Sequence, residues 1–185
     1  MNLIRRYKKL KKGMVVVIIP SYVCNFSCSY CIRDVMEMDR KPDLGLEKWK
    51  EFLADLDENL RQGGTKIKEI ILSGGEPTLL PYFVELSEWI LKRWFLTVYT
   101  NLSNLQTLKI KNRKLFVVAS YHSSQMSGDV FLKRAKRLPN VKIKEIGGNT
   151  LDIPVQELRT KKYKMKYFGQ LTVDADFKMS IYNLC

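Results

Sequence analysis

Five short apolar runs, alternating with stretches of helical spacing, constrain this chain more than any other feature. MVVVII (14–19) is β-branched and apolar throughout, as a strand buried on both faces requires. KIKEIIL (66–72), FLTVYT (95–100), LFVVAS (115–120) and VKIKEI (141–146) repeat that signal. Between them the period changes. Trp49, Leu53, Leu56 and Leu60 recur at helical spacing from Leu46, and Gly63-Gly64 ends that helix. A second helix follows SGGEP (73–77), with Pro81 suited to its first turn and Phe83, Leu86 and Ile90 on one face. A short amphipathic piece spans Leu102 to Ile110, and a helix over 129–138 is stopped by Pro139. Strands that alternate with helices predict an α/β fold with a parallel sheet.

Length then limits the architecture. Eight such units close a TIM barrel of about 250 residues. A chain of 185 residues fits a partial, TIM-like barrel of five or six βα units, read as one domain over 1–185. Residues 1–13 form a basic N-terminal segment, with six Lys/Arg and no acid. Beyond Pro154, residues 155–164 have helical character. GQLTVDADFKMSIY (169–182) predicts a β-hairpin turning near Asp174 to Asp176, within a C-terminal extension over 165–185. No apolar run approaches the roughly 20 residues that span a bilayer, and no cleavable signal pattern follows the basic start. A cytoplasmic home with no membrane partner is therefore expected.

Charge is uneven. The net charge of +13 divides into +3 over residues 1–100 and +10 over residues 101–185. That asymmetry raises the chance of an anionic partner, nucleic acid among them, beside the plainer reading of a solvated basic surface.

In parallel sheets ligands gather at the carboxyl ends of the strands. The loops that follow the five runs begin with the cysteine segment, SGGEP, Asn101, Ser120 to His122, and Gly147-Gly148. The cysteine segment CNFSCSYC (24–31) holds three of the four cysteines of the chain. In a chain without a secretion signal, so tight a cluster points to metal or redox chemistry rather than disulfides. Three thiolates on a cubane iron–sulfur cluster leave one iron open, and an open position is what lets a metal site act on a ligand. Three thiols also fit zinc, for which Cys185 and His122 remain as a fourth ligand.

The spacing C-x3-C-x2-C at Cys24, Cys28 and Cys31, with Tyr30 before the last cysteine, resembles the signature of the radical S-adenosylmethionine (SAM) superfamily. SGGEP at 73–77 looks like its second motif, which binds the amino group of the methionine moiety. The resemblance implies a 4Fe-4S cluster on Cys24, Cys28 and Cys31 and SAM chelating the open iron. One electron, from an external reductant such as flavodoxin or ferredoxin, then cleaves SAM. The resulting 5′-deoxyadenosyl radical takes hydrogen from a substrate. It further implies that Gly74 and Gly75 bring backbone close to the cofactor and that Glu76 accepts from its ammonium. Tyr30 is expected near the adenine, with Asn101 and Ser120 at the ribose or carboxylate, and Gly147-Gly148 near the adenine.

Other readings stand beside these. Asn101 is also a favoured helix cap. His122, the only histidine, is expected on the active rim, where it can bind substrate or move a proton, as the candidate catalytic residue. Arg33 and Arg40 face either an anionic substrate or solvent. Tyr99 and Tyr121 reach either the cavity or the core. Cys185 is expected to bind no auxiliary cluster. The substrate is read as anionic, a nucleotide or nucleic acid among the options. The alternatives are an activase or peptide-modifying enzyme acting on a protein, and a metal-binding protein without catalysis. Oligomeric state is not legible.

Overall fold

The computed structural model describes residues 13–31, 43–138, 141–146, 170–174 and 179–182. The readings at Arg33, Arg40, Gly147-Gly148, residues 155–164 and Cys185 lie outside these ranges. Strands β1 (Met14–Ile19), β2 (Ile67–Leu72), β3 (Phe95–Thr100), β4 (Leu115–His122) and β5 (Val141–Ile146) stand side by side in sequence order, all parallel. On the far side of β1, strand β6 (Gln170–Asp174) adds a sixth parallel neighbour, and β7 (Met179–Tyr182) returns antiparallel to it. The C-terminal hairpin is thus present, and its first strand is a full member of the sheet.

Helix α1 (Leu46–Gln62) buries Trp49, Leu53 and Leu60, three of the four residues whose spacing predicts it. Helix α2 (Phe83–Leu91) buries Phe83, Leu86 and Ile90 as expected. Pro81, however, precedes the helix rather than opening it. The stretch Pro77–Leu79 forms a separate 3-10 turn, and the Phe83 amide donates to the Leu80 carbonyl across Pro81. Helix α3 (Gly128–Ala135) ends before the predicted 138. There the chain tightens: the Arg137 and Leu138 amides donate to carbonyls three residues back, which turns Leu138 inward.

The alternation of β4 shows how the layers form. Val117, Ala119 and Tyr121 join the helix-side core, while Val118, Ser120 and His122 take the other face. That core collects Met14, Val16 and Ile18 of β1 against Trp49, Leu53 and Phe83. Each fully buried side chain of this size contributes roughly 1.5–3 kcal/mol. A smaller apolar cluster on the opposite face holds Val15, Val17 and Ile71, with Tyr99 packed against them. The β3–β4 crossover differs from the others. Residues 101–114 contain only the 3-10 turn Gln106–Lys109 where a full helix would cover the sheet. No helix among the described residues is long and apolar enough to cross a membrane.

Candidate active site

The cysteine segment leaves the carboxyl end of β1 and is gripped from three sides. The first grip is backbone. The Ser73 amide donates to the Ile18 carbonyl at 3.1 Å, that of Gly75 to Ser21 at 3.1 Å, and that of Glu76 to Val23 at 2.9 Å. SGGEP therefore continues the parallel pairing of β1 and β2 past their formal ends. The glycines make this approach possible. A Cβ on Gly74 would fall 2.5 Å from the Ser21 carbonyl oxygen, and one on Gly75 would overlap the Val23 carbonyl. Gly74 also sits at φ +121°, a conformation that disfavours side chains. The bare backbone expected to face a ligand is thus in contact with the chain itself at both glycines.

The second grip runs through Glu76, a buried residue at 3% exposure. Its Oε1 accepts from the Thr78 amide at 3.1 Å, from the Thr78 hydroxyl at 2.5 Å and from the Thr100 hydroxyl at 2.8 Å. Its Oε2 accepts from the Asn101 amide at 2.7 Å. Burial pushes this carboxyl upward, and the four donors pull against that. The carboxylate expected to accept from a ligand ammonium thus ties SGGEP to the end of β3. Asn101 extends the link. Its Nδ2 donates to the Asn25 Oδ1 at 3.2 Å and lies 3.8 Å from the Cys24 sulfur. Its Oδ1 accepts from the Ser103 amide at 2.8 Å, so it caps a turn where a helix start was the alternative expectation. The next residue, Leu102, is fully buried at φ 57°, and Arg134 of α3 donates to its carbonyl at 2.8 Å.

The third grip comes from β4. His122 Nδ1 lies 3.3 Å from the Cys28 sulfur and 3.2 Å from the Tyr30 hydroxyl. Its ring is stacked on Tyr30, with centroids 5.9 Å apart, and meets the edge of Phe26. Burial lowers the pKa of His122, which favours the neutral imidazole, and burial raises that of Tyr30. Gln125 adds a two-point clamp: its Oε1 accepts from the Ser27 amide at 3.2 Å and its Nε2 donates to the Ser27 carbonyl at 3.4 Å.

The residues named from sequence therefore meet. Cys24, Cys28, Cys31, Tyr30, Gly74, Gly75, Glu76, Asn101 and His122 occupy one rim. Ser120 sits two residues below His122 on the same face, buried, in register with Lys144 of β5. Tyr99 is on that face too, but Tyr121 packs against Phe131 in the helix-side core, with ring centroids 5.0 Å apart. The clamps Asn25, Ser103, Gln125, Thr78 and Thr100 were not foreseen.

The donor set fits an iron–sulfur cluster. Cys24, Cys28 and Cys31 are in no disulfide. A cluster takes one thiolate at each of several corners, and three cysteines on one short loop can supply them.

Comparison with known proteins agrees with this geometry. The sequence profile of the radical SAM superfamily matches residues 18–166. No curated protein matches the chain. Among solved structures, BtrN in complex with AdoMet and 2-DOIA superposes with a TM-score of 0.59 at 14% identity, over 88% of this chain and 70% of that one. Streptococcus suis SuiB bound to S-adenosylmethionine gives 0.51 at 20% identity, over 63% of this chain and 27% of SuiB. SuiB bound to precursor peptide SuiA gives 0.50 at 21% identity, over 63% and 26%. The chain thus spans about a quarter of SuiB, and these likenesses are likenesses of fold.

Proposed function

Because the chain belongs to the radical SAM superfamily, whose members use SAM and an iron–sulfur cluster, we propose that it reductively cleaves SAM at a 4Fe-4S cluster and abstracts hydrogen from an anionic substrate. The observation that carries this reading is the meeting of three cysteines outside any disulfide and SGGEP on one rim, locked by backbone pairing. Cys24, Cys28 and Cys31 would hold the cluster. Bound there, cluster and SAM supply a one-electron cleavage and a 5′-deoxyadenosyl radical.

The chain's own residues do the positioning. Glu76 holds SGGEP and Asn101 at fixed separation, which preforms the rim on which the methionine moiety would sit. Asn101 lends an amide N–H near the Cys24 sulfur, and His122 sets Cys28 and Tyr30 relative to each other. Tyr30 lies beside the cysteine loop, where it can cover an adenine. Ser120 lies deeper on the same face, toward a ribose or a substrate. His122 is thereby a positioning residue more than a proton carrier. An external one-electron donor of the flavodoxin or ferredoxin class, in a reducing compartment such as the cytoplasm, completes the reaction.

An anionic substrate, a nucleotide or nucleic acid among them, is favoured by the +10 balance of residues 101–185. A protein or peptide substrate is the second reading. It is favoured by the open order of the described strands, which leaves a side of the partial barrel unclosed, and SuiB has been solved with a precursor peptide.

Anaerobic reconstitution tests the proposal. About four irons and four sulfides per chain, with 5′-deoxyadenosine formed from SAM under dithionite, are expected. Alanine at Cys24, Cys28 or Cys31 should abolish both. A reconstituted protein that holds iron but never cleaves SAM would instead be a non-catalytic metal-binding protein. Nucleic-acid affinity that falls steeply with salt would separate the first substrate reading from the second.

A further inference from the structure

The short β3–β4 crossover leaves the helix side of β4 incompletely covered, and a cavity of about 460 Å³ opens there. Its size falls within the range of small-ligand sites. Ile110, Leu115, Val117 and Leu138 form an apolar floor, each under 8% exposed. Lys111, Arg113 and Arg137 line the same cavity and are exposed, and no carboxylate is among its lining residues. Among the described residues, none of the three cations is in an ion pair.

The surroundings share the sign of the rim. Residues 101–138 carry eight Lys/Arg and one acid, Asp129. The cavity lies at the amino end of β4, whereas His122 stands at the carboxyl end, roughly 20 Å along the strand.

We propose that this cavity binds a small phosphate monoester with an apolar body, held by Arg113, Arg137 and Lys111 around the Ile110–Leu115–Val117–Leu138 floor. Two guanidiniums and an ammonium lining one cavity match a head group of nearly two negative charges, and a guanidinium recognises phosphate by bidentate hydrogen bonds. The apolar floor accepts the body. The site is separate from the cysteine rim and stands whether or not SAM is cleaved there.

The probe is α-naphthyl phosphate, titrated by fluorescence anisotropy into reconstituted protein saturated with SAM, so that the rim is already occupied. Saturable binding to one site is expected, weaker by about tenfold or more in the Arg113→Ala/Arg137→Ala variant. Both arginines are exposed, so the melting temperature of that variant should match the parent within about 2 °C. Neutral α-naphthol and inorganic phosphate should each bind far more weakly than the ester. Absence of saturable binding, indifference to the arginine pair, or equal affinity for α-naphthol would each overturn the proposal. So would displacement by single-stranded DNA as effective as by the ester, which would mark a phosphodiester track in place of a small-molecule pocket.

Discussion

Glu69 and Glu76 are both buried, at 1% and 3% exposure, yet the chain surrounds them differently. At the rim, Glu76 accepts from four donors carried by two separate loops. On β2, among the described residues, Glu69 accepts only from the Thr97 hydroxyl, at 2.6 Å, and its Oε2 has no partner. Burial raises the pKa of both carboxyls. The difference teaches where this fold has invested its polar groups. Compensation is concentrated where the cysteine segment must be held, and the body of the sheet tolerates an unpaired oxygen.

Four substitutions probe that contrast. Gly75→Ala should be the most damaging, on the order of 4 kcal/mol, because the added methyl meets a backbone carbonyl that cannot move without moving the cysteine segment. Urea unfolding together with iron content would show it, and near-parental values for both would mean the rim is softer than its hydrogen bonds imply. Glu76→Ala should cost about 3 kcal/mol, since it strands the Asn101 amide and two threonine hydroxyls in a buried site. A loss below about 1 kcal/mol would place the two glutamates in the same class and dissolve the comparison.

Glu69→Gln should act in the opposite direction. A carboxyl whose folded pKa is raised contributes most at low pH, and that contribution is lost as pH rises through the raised value. The wild-type chain should therefore lose stability toward neutral pH relative to Glu69→Gln, and the variant should be ahead by about 1 kcal/mol above that step. Thermal melts across acid to mildly alkaline pH would reveal a parallel pair of curves if the reading is wrong. Thr97→Val is the mildest. Removing the one donor to Glu69 should move the same step to still higher pH, with little other change.

The strands were legible because each is a local run of β-branched and apolar residues. β1, β3 and β5 have the predicted ends, and β4 runs two residues further because Tyr121 and His122 keep the alternation. The cysteines and SGGEP were legible because both motifs are contiguous. The clamps were not. Gln125 reaches Ser27 across 98 positions and Asn101 reaches Asn25 across 76, and no local pattern records such pairs. The partners of Glu76 were hidden for a related reason: its neighbours in sequence do not disclose that Thr100 and Asn101 would arrive as donors. The cavity beside β4 escaped notice because it arises from a helix that the amphipathic stretch from Leu102 to Ile110 does not complete.

The pairing of β6 with β1 sets a timetable for the molecule. Val15 lies beside Gln170, so the strand that launches the cysteine loop keeps one open flank until nearly the whole described sequence has been synthesised. Closing so distant a contact is slow, and an open strand edge invites pairing with other chains. Metallation of a nascent chain would therefore meet a half-supported loop, which favours cluster insertion after β6 has been synthesised.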